Sequence, residues 1–479
     1  MKEIILLITL TAIRALTTLA SAAETLSIKP AHTLPDYTKL SLATNTVSGF
    51  TQFWDTLASG DFNEDGLLDA VVLVGGPDDD PWPLGLMVLL QGADGTFAKK
   101  IEYTLPTTGF TWDFVLADFN EDGHLDLVLD ELGTDLVMLL GNGDGTFHQP
   151  AYVGLAASTF PVAADLDGDH HLDLLVGKLD GTVGFFAGVG NGTFTLKASL
   201  DTQVNANPPY YRQGQIMVGD LNRDGKLDVA VASVTNLTTE IGNLDVFLGK
   251  GGGSFQEVIR TSSVAVWRGA LGDFNGDGIL DFAGDTRLSS PRIEIWLGQG
   301  DGRFTKGKTY SIPSGYAPLV VQVADLNQDG ILDVVVSAGN PGVFPATLLS
   351  IFLGNGDGSF QSRREFTTLA GSLVANVGPR LIDFNKDGLL DLLTVAEFRT
   401  PRANALALAL NQGVKFGLDL GFLVNVQSTT PGATGPVLLE ASTNLRDWTP
   451  LATNSPAATW PFVDTSAGLQ QRFYRTRQP

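Results

Sequence analysis

Residues 118–126 read DFNEDGHLD. Asp118, Asn120, Asp122 and Asp126 set side-chain oxygens at positions 1, 3, 5 and 9 of this stretch, and His124 can add its backbone carbonyl at position 7. Gly123, at position 6, permits a sharp turn. Calcium takes about six to eight oxygen ligands, and the odd-numbered positions of a tight loop converge on one point. The stretch therefore reads as a loop built for a hard cation.

The same pattern recurs six more times, beginning at Asp61, Asp165, Asp220, Asp273, Asp325 and Asp383. The first copy offers Asp61, Asn63, Asp65 and Asp69 with the carbonyl of Leu67, and the third offers Asp165, Asp167, Asp169 and Asp173 with that of His171. Asp220, Asn222, Asp224, Lys226 and Asp228 make the fourth set, and Asp273, Asn275, Asp277, Ile279 and Asp281 the fifth. The last two are Asp325, Asn327, Asp329, Ile331 and Asp333, then Asp383, Asn385, Asp387, Leu389 and Asp391. Six copies have Asn at position 3 and Gly at position 6; the third has Asp167 and His170 there. Position 6 needs a positive φ, which Gly adopts freely and His only with strain, so weaker binding is expected in that loop. His170 and His171 side by side raise a transition metal as the rival reading, but the chain has five His and no convergent set.

Successive loops start 57, 47, 55, 53, 52 and 58 residues apart. A period near fifty suits one four-stranded propeller blade. A second signature keeps step: GADGTF ending at Phe97, GNGDGTF at Phe147, GVGNGTF at Phe194, GKGGGSF at Phe255, GQGDGRF at Phe304, GNGDGSF at Phe360 and a worn NQGVKF at Phe416. Its glycines supply the positive φ angles of a tight hairpin, and its Phe reads as a core anchor between neighbouring sheets. Short apolar runs bounded by turn residues lie between the two signatures, as in Leu127–Leu129 and Leu136–Leu140. These read as buried strands, and no repeat carries a helical period over 12 or more residues.

Paired over residues 45–416, the two signatures resemble the FG-GAP/VCBS repeats of the integrin α-subunit propeller and of many secreted bacterial proteins. The resemblance implies an all-β, seven-bladed β-propeller of four-stranded antiparallel blades, with up to seven Ca2+ between the first and second strands of the blades. For function it implies little, because this fold carries many activities. Ring closure needs a strand for the unit containing Asp383; residues 34–45 are expected to supply it, with 417–426 as the rival.

The chain is expected to divide into a signal peptide (1–22), the propeller (23–419) and a small C-terminal β-module (420–479) that resembles fibronectin-like modules. The leader has Lys2, an apolar run from Ile4 to Leu19 and the Ala20-Ser21-Ala22 cleavage site, with Arg14 out of pattern. Secretion or cell-surface display follows from that reading. The chain has no cysteine, so disulfides are excluded, and metal ions are the obvious reinforcement for an exported protein. A formal charge of −23 argues against nucleic acid and anionic membranes. Loss of Lys2, Glu3 and Arg14 with the leader makes it −24, and seven bound Ca2+ would bring it to −10.

In an antiparallel meander the metal loops and glycine hairpins share one end of every blade. Unlike loops then lie at the opposite end, where binding residues on a rigid scaffold usually sit. There the aromatic residues Trp82, Trp112, Tyr210, Tyr211 and Tyr316 are candidates for contact with an extracellular glycan or protein, and turn packing is the alternative for each. The sequence lacks HExxH, G-x-S-x-G, a P-loop and a cysteine nucleophile. A non-catalytic binding or adhesion module is the expected function. The alternatives are a polysaccharide hydrolase or lyase using Asp113, Glu240 or Asp285, and a purely structural surface component.

Overall fold

The computed structural model describes residues 52–75, 85–93, 97–105, 113–130, 135–155, 158–178, 180–202, 213–236, 241–262, 268–286, 291–313, 316–339, 347–367 and 386–399, with shorter pieces elsewhere. The expected leader, residues 1–22, lies outside them. Every regular element among the described residues is a strand, and no helix there is long and apolar enough to cross a membrane.

The chain forms two compact units, residues 35–412, and residues 1–34 together with 413–479. Among the described residues of the larger unit six four-stranded antiparallel sheets follow one another, each a simple meander. Blade one is Gln52–Gly60, Asp69–Gly75, Gly85–Gln91 and Phe97–Thr104. Blade two is Phe114–Ala117, Asp126–Asp130, Leu136–Leu139 and Ala151–Tyr152; blade three is Ser158–Ala164, Asp173–Lys178, Thr182–Gly188 and Phe194–Asp201. Blade four is Gln213–Gly219, Asp228–Asn236, Ile241–Phe247 and Ile259–Ser262; blade five is Gly269–Gly272, Asp281–Thr286, Arg292–Gly298 and Phe304–Ser311. Ala317–Ala324, Asp333–Gly339, Thr347–Phe352 and Arg364–Thr367 make blade six.

The second and third strands are buried on both faces, which is why they read as unbroken apolar runs. Each core cluster is shared between consecutive blades. Leu73 and Leu86 of blade one pack with Leu127 and Val137 of blade two, and Leu244 and Val246 of blade four with Phe282 and Trp296 of blade five. This sheet-on-sheet burial, repeated from blade to blade, makes the unit a β-propeller.

The expectation of seven like, four-stranded blades is corrected: six sheets are four-stranded, and the strands around the seventh acidic loop form a five-stranded one. Its inner strand is in two pieces, Leu373–Val374 and Arg380–Ile382, both paired with Asp391–Arg399. Its outer strand comes from the N-terminal stretch: Leu40–Ala43 pairs antiparallel with Arg402–Ala409. Residues 34–45 thus supply the strand expected of them. The rival stretch contributes Val424–Val426, which pairs with Trp460–Phe462 in the other unit. That unit also holds a three-stranded sheet of Thr449–Asn454, Val437–Ser442 and Phe473–Arg477.

Candidate metal centres

Within each acidic loop the side chains are tied to the loop's own backbone. In residues 118–126 the Asp118 carboxylate accepts the N–H groups of Asp122 at 3.2 Å and Gly123 at 2.9 Å, and Asp122 accepts that of His124 at 2.9 Å. Asn120 accepts from the Asp122 N–H at 3.2 Å while its amide donates to the Asp122 carboxylate at 2.8 Å. The same bonds recur in the loops beginning at Asp61, Asp220, Asp273 and Asp325. In loop three Asp165, Asp167 and Asp173 bring one oxygen each within 4.8 Å of one another. An all-oxygen donor set with no sulfur fits a hard divalent cation.

Position 9 does more than the spacing suggested. Asp126 is fully buried, and its two oxygens accept the N–H of Phe119, at 2.8 Å, and of Gly141, the first residue of the glycine hairpin, at 2.8 Å. Asp173, Asp228, Asp281 and Asp333 repeat this, each joining the start of its loop to the start of its hairpin, and Asp69 joins Phe62 to Gln91, the residue just before the first hairpin. Burial pushes these carboxyls up, to about 6 for Asp69, Asp173 and Asp281 and about 7 for Asp333. The two backbone N–H groups pull each one down, and the other carboxylates of the loop push it further up. Crowding of this kind is what a bound cation relieves.

The left-handed backbone expected at position 6 is present in loop three at His170, with φ 75°. The sequence reading missed a second such position. Position 4 is left-handed too, at Glu64, Glu121, Arg223, Gln328 and Lys386, with φ between 56° and 62°. The signal for it was the glycine at that position in loops three and five, Gly168 and Gly276.

This conformation throws the position-4 side chain toward the next loop. Glu64 bonds the His124 ring, Glu121 the His171 ring, and Arg223 the Asp277 carbonyl at 3.2 Å. Gln328 donates to the Gly388 carbonyl, and Lys386 of the seventh loop to the Gly66 carbonyl of the first. Hydrogen bonding to Glu64 and Glu121 raises the pKa of His124 and of His171. The loops with glycine at position 4 have no side chain to make this latch.

The hairpins sit at the same end, as expected from the meander. The carbonyl of loop position 8 leaves no room for a Cβ on the first hairpin glycine, lying 2.4 Å from one built on Gly141 and 2.0 Å from one on Gly188. The following glycines, such as Gly143 and Gly145, take positive φ. The hairpin Phe packs edge-to-face across the blade seam on position 2 of the preceding loop: Phe147 on Phe62, Phe194 on Phe119, and Phe360 on Phe274, at 5.4 to 5.9 Å. Phe97 of blade one meets Phe384 of the seventh loop at 6.3 Å, so first and last units adjoin.

Of the aromatic candidates on the opposite end, Trp82, Trp112, Tyr210 and Tyr211 lie outside the described residues, as does Glu240. Tyr316 is half-buried against the core cluster of Ile293, Ile312 and Val321. Asp285 accepts the Arg268 N–H at 2.6 Å, and Asp113 caps its neighbour Phe114 at 2.9 Å.

A sequence profile described as an FG-GAP-like repeat matches residues 61–129, 165–231, 220–284 and 286–336. No curated protein matches the chain in sequence. Among solved structures, BBS1N, crystallised in complex with ARL6DN, is 12% identical over 80% of this chain and 98% of its own, with a TM-score of 0.48. Chaetomium thermophilum Raptor is 13% identical over 82% of this chain and 30% of its own, at 0.47. The Dos1 propeller is 11% identical over 78% and 86%, at 0.43.

Proposed function

Because the chain belongs to the FG-GAP-like repeat family, we propose that it is an exported, calcium-stabilised, non-catalytic binding module whose ligand is an extracellular glycan or protein. The observation that carries this reading is the repetition of one loop frame. Side chains at positions 1, 3 and 5 are held by the same backbone bonds in loop after loop, as suits architecture more than a single active centre. Calcium would be held by the oxygens of positions 1, 3, 5 and 9 with the carbonyl of position 7, and would supply charge neutralisation in place of the disulfides the chain lacks. The ligand face is then the end of the blades remote from these loops, where the connections differ from one blade to the next.

The test uses the mature chain, residues 23–479. Calorimetric titration is expected to show several calcium sites, up to seven, and EGTA to lower the thermal midpoint substantially. An unchanged melting curve in excess EGTA would sink the calcium reading. A glycan array and a pull-down from surface extracts, each with and without calcium, test the binding reading. Release of reducing or unsaturated ends from polysaccharides would replace it with an enzyme.

A further inference from the structure

We propose that the seam between blades four and five contains a carbohydrate subsite built on Thr286, Arg292, Glu294, Trp296 and Lys306, which takes a neutral pyranose; this deepens the reading of the chain as a glycan binder. In blade five Thr286 is paired across the sheet with Arg292, Gly284 with Glu294, and Trp296 with both Phe282 and Lys306. Directly paired residues share a face. This face packs on blade four and the connection that follows it, which bring Leu244, Val246, Val264 and Val266 and, from the first strand of blade four, Gln215, whose side-chain oxygen accepts the Gly269 N–H at 3.1 Å.

The aliphatic part of that wall offers no hydrogen bonds and the Gln215 oxygen is taken by Gly269, yet this face presents three groups that want partners. Glu294 is 1% exposed; its Oε1 is held by Arg292 Nε at 3.1 Å and Lys306 Nζ at 2.8 Å, while Oε2 is buried without a partner. Trp296 Nε1 and Thr286 Oγ1 are likewise buried and unpartnered. Leaving a buried polar group unsatisfied costs about 1–3 kcal/mol, so three on one face call for an occupant that satisfies them.

Single buried side-chain oxygens without a partner also occur at Gln91 of blade one and at Gln322, Ser337 and Ser350 of blade six, but among the described residues blades two, three, four and six do not combine a carboxylate with an indole. Where blade five has Trp296, two residues before the first hairpin glycine, blades two, three, four and six have Leu139, Phe186, Phe247 and Phe352. Where it has Glu294, blade four has Asp245, and that carboxylate is saturated by Arg260, through Nε at 2.6 Å and Nη2 at 2.9 Å. The open acid and the polar aromatic are thus particular to one seam.

Their chemistry suits a sugar ring. A carboxylate oxygen accepts from a hydroxyl, the indole N–H donates to another, and the Thr286 hydroxyl can do either. The indole face takes the C–H face of a pyranose, a place now covered by the Lys306 ammonium 5.2 Å from the ring centroid. The Lys306 side chain is 46% exposed and that of Arg292 31%, so two solvent-facing side chains form the cover that must swing aside.

The probe is a set of methyl glycosides of glucose, galactose and mannose, offered at millimolar concentration to the calcium-loaded mature chain and followed by saturation-transfer NMR and calorimetry. At least one is expected to bind, and Glu294→Gln and Trp296→Phe to weaken it tenfold or more. Trp296→Phe also removes an unpartnered N–H, so its thermal midpoint and calcium titration should match the parent's, showing that the variant is folded. No binding by the parent chain would mean the seam holds only water, and would overturn the proposal. So would equal binding by parent and Trp296→Phe. Failure of the calcium titration with glycoside binding intact would remove the metal reading and leave this one standing.

Discussion

Asp333 shows how much one residue of the loop decides. Read by spacing it is a ninth-position ligand; in the fold it is also the staple between loop and hairpin, accepting Leu326 N–H at 3.0 Å and Gly354 N–H at 2.8 Å. Asp333→Asn turns one acceptor into a donor facing an N–H, and should cost about 1–3 kcal/mol in urea unfolding even in EGTA, where lost metal affinity plays no part. A variant as stable as the parent under those conditions would refute the staple. The pH dependence follows from the same group. Folding raises the carboxyls of Asp69, Asp173, Asp281 and Asp333 from 3.8 to about 6 or 7, so between these limits the folded chain binds more protons than the unfolded one. Their contribution to stability is complete below about pH 4 and is lost as pH rises through 6 to 7. In EGTA, urea midpoints are therefore expected to fall from pH 4.5 to pH 7.5, and saturating calcium to flatten or reverse that slope. His170 gives a third test: at φ 75° a side chain is strained, and His170→Gly should gain about 1 kcal/mol.

The element that repeats is the loop with its hairpin, and its glycines divide by purpose. The first is small because a carbonyl is close: a Cβ on Gly298 would lie 2.4 Å from the Leu280 oxygen. The later ones are glycine because of φ, as at Gly300 and Gly302. Gly298→Ala is expected to destabilise by roughly 1–3 kcal/mol through overpacking against backbone that cannot move aside. An effect within about 0.5 kcal/mol would show that the loop yields. The hairpin and its role as a turn were legible in GNGDGTF, because Gly-Asp-Gly has few other conformations to serve. The latch from position 4 was not legible. Glu, Arg, Gln and Lys look interchangeable on a surface, and only the left-handed backbone aims them at the next loop. Glu64→Ala should leave the urea midpoint close to the parent's, since solvent screens this surface pair. It should also bring the His124 titration, followed by NMR, down toward the ordinary imidazole value.

For the whole molecule, the question is how the last sheet joins the first. Lys386 reaches the Gly66 carbonyl, Arg380 Nε donates to the Leu57 carbonyl at 2.5 Å, and Phe384 packs on Phe97. The N-terminal strand Leu40–Ala43 meanwhile completes the sheet at the other end of the unit's sequence. Leu42→Pro would break that ladder and leave Arg402–Ala409 as an open edge. The expected result is a lower thermal midpoint with growing aggregation, read by melting and light scattering; an unchanged midpoint would show that closure does not depend on this strand.

The sequence by itself determined the all-β repeat, the place of each acidic loop and glycine hairpin, and the Phe that locks neighbouring sheets. These depend on local backbone needs and on a period of about fifty residues, both written in consecutive positions. Tertiary structure decided what pairs across distance: the staple role of position 9, the loop-to-loop latches, and a five-stranded sheet where a seventh four-stranded blade was expected. It also decided the open carboxylate of Glu294. Whether a buried acid is saturated, as Asp245 is, or left with a free oxygen depends on which side chains the next strand and the next blade bring within 3 Å or so, and no local pattern in the chain records that.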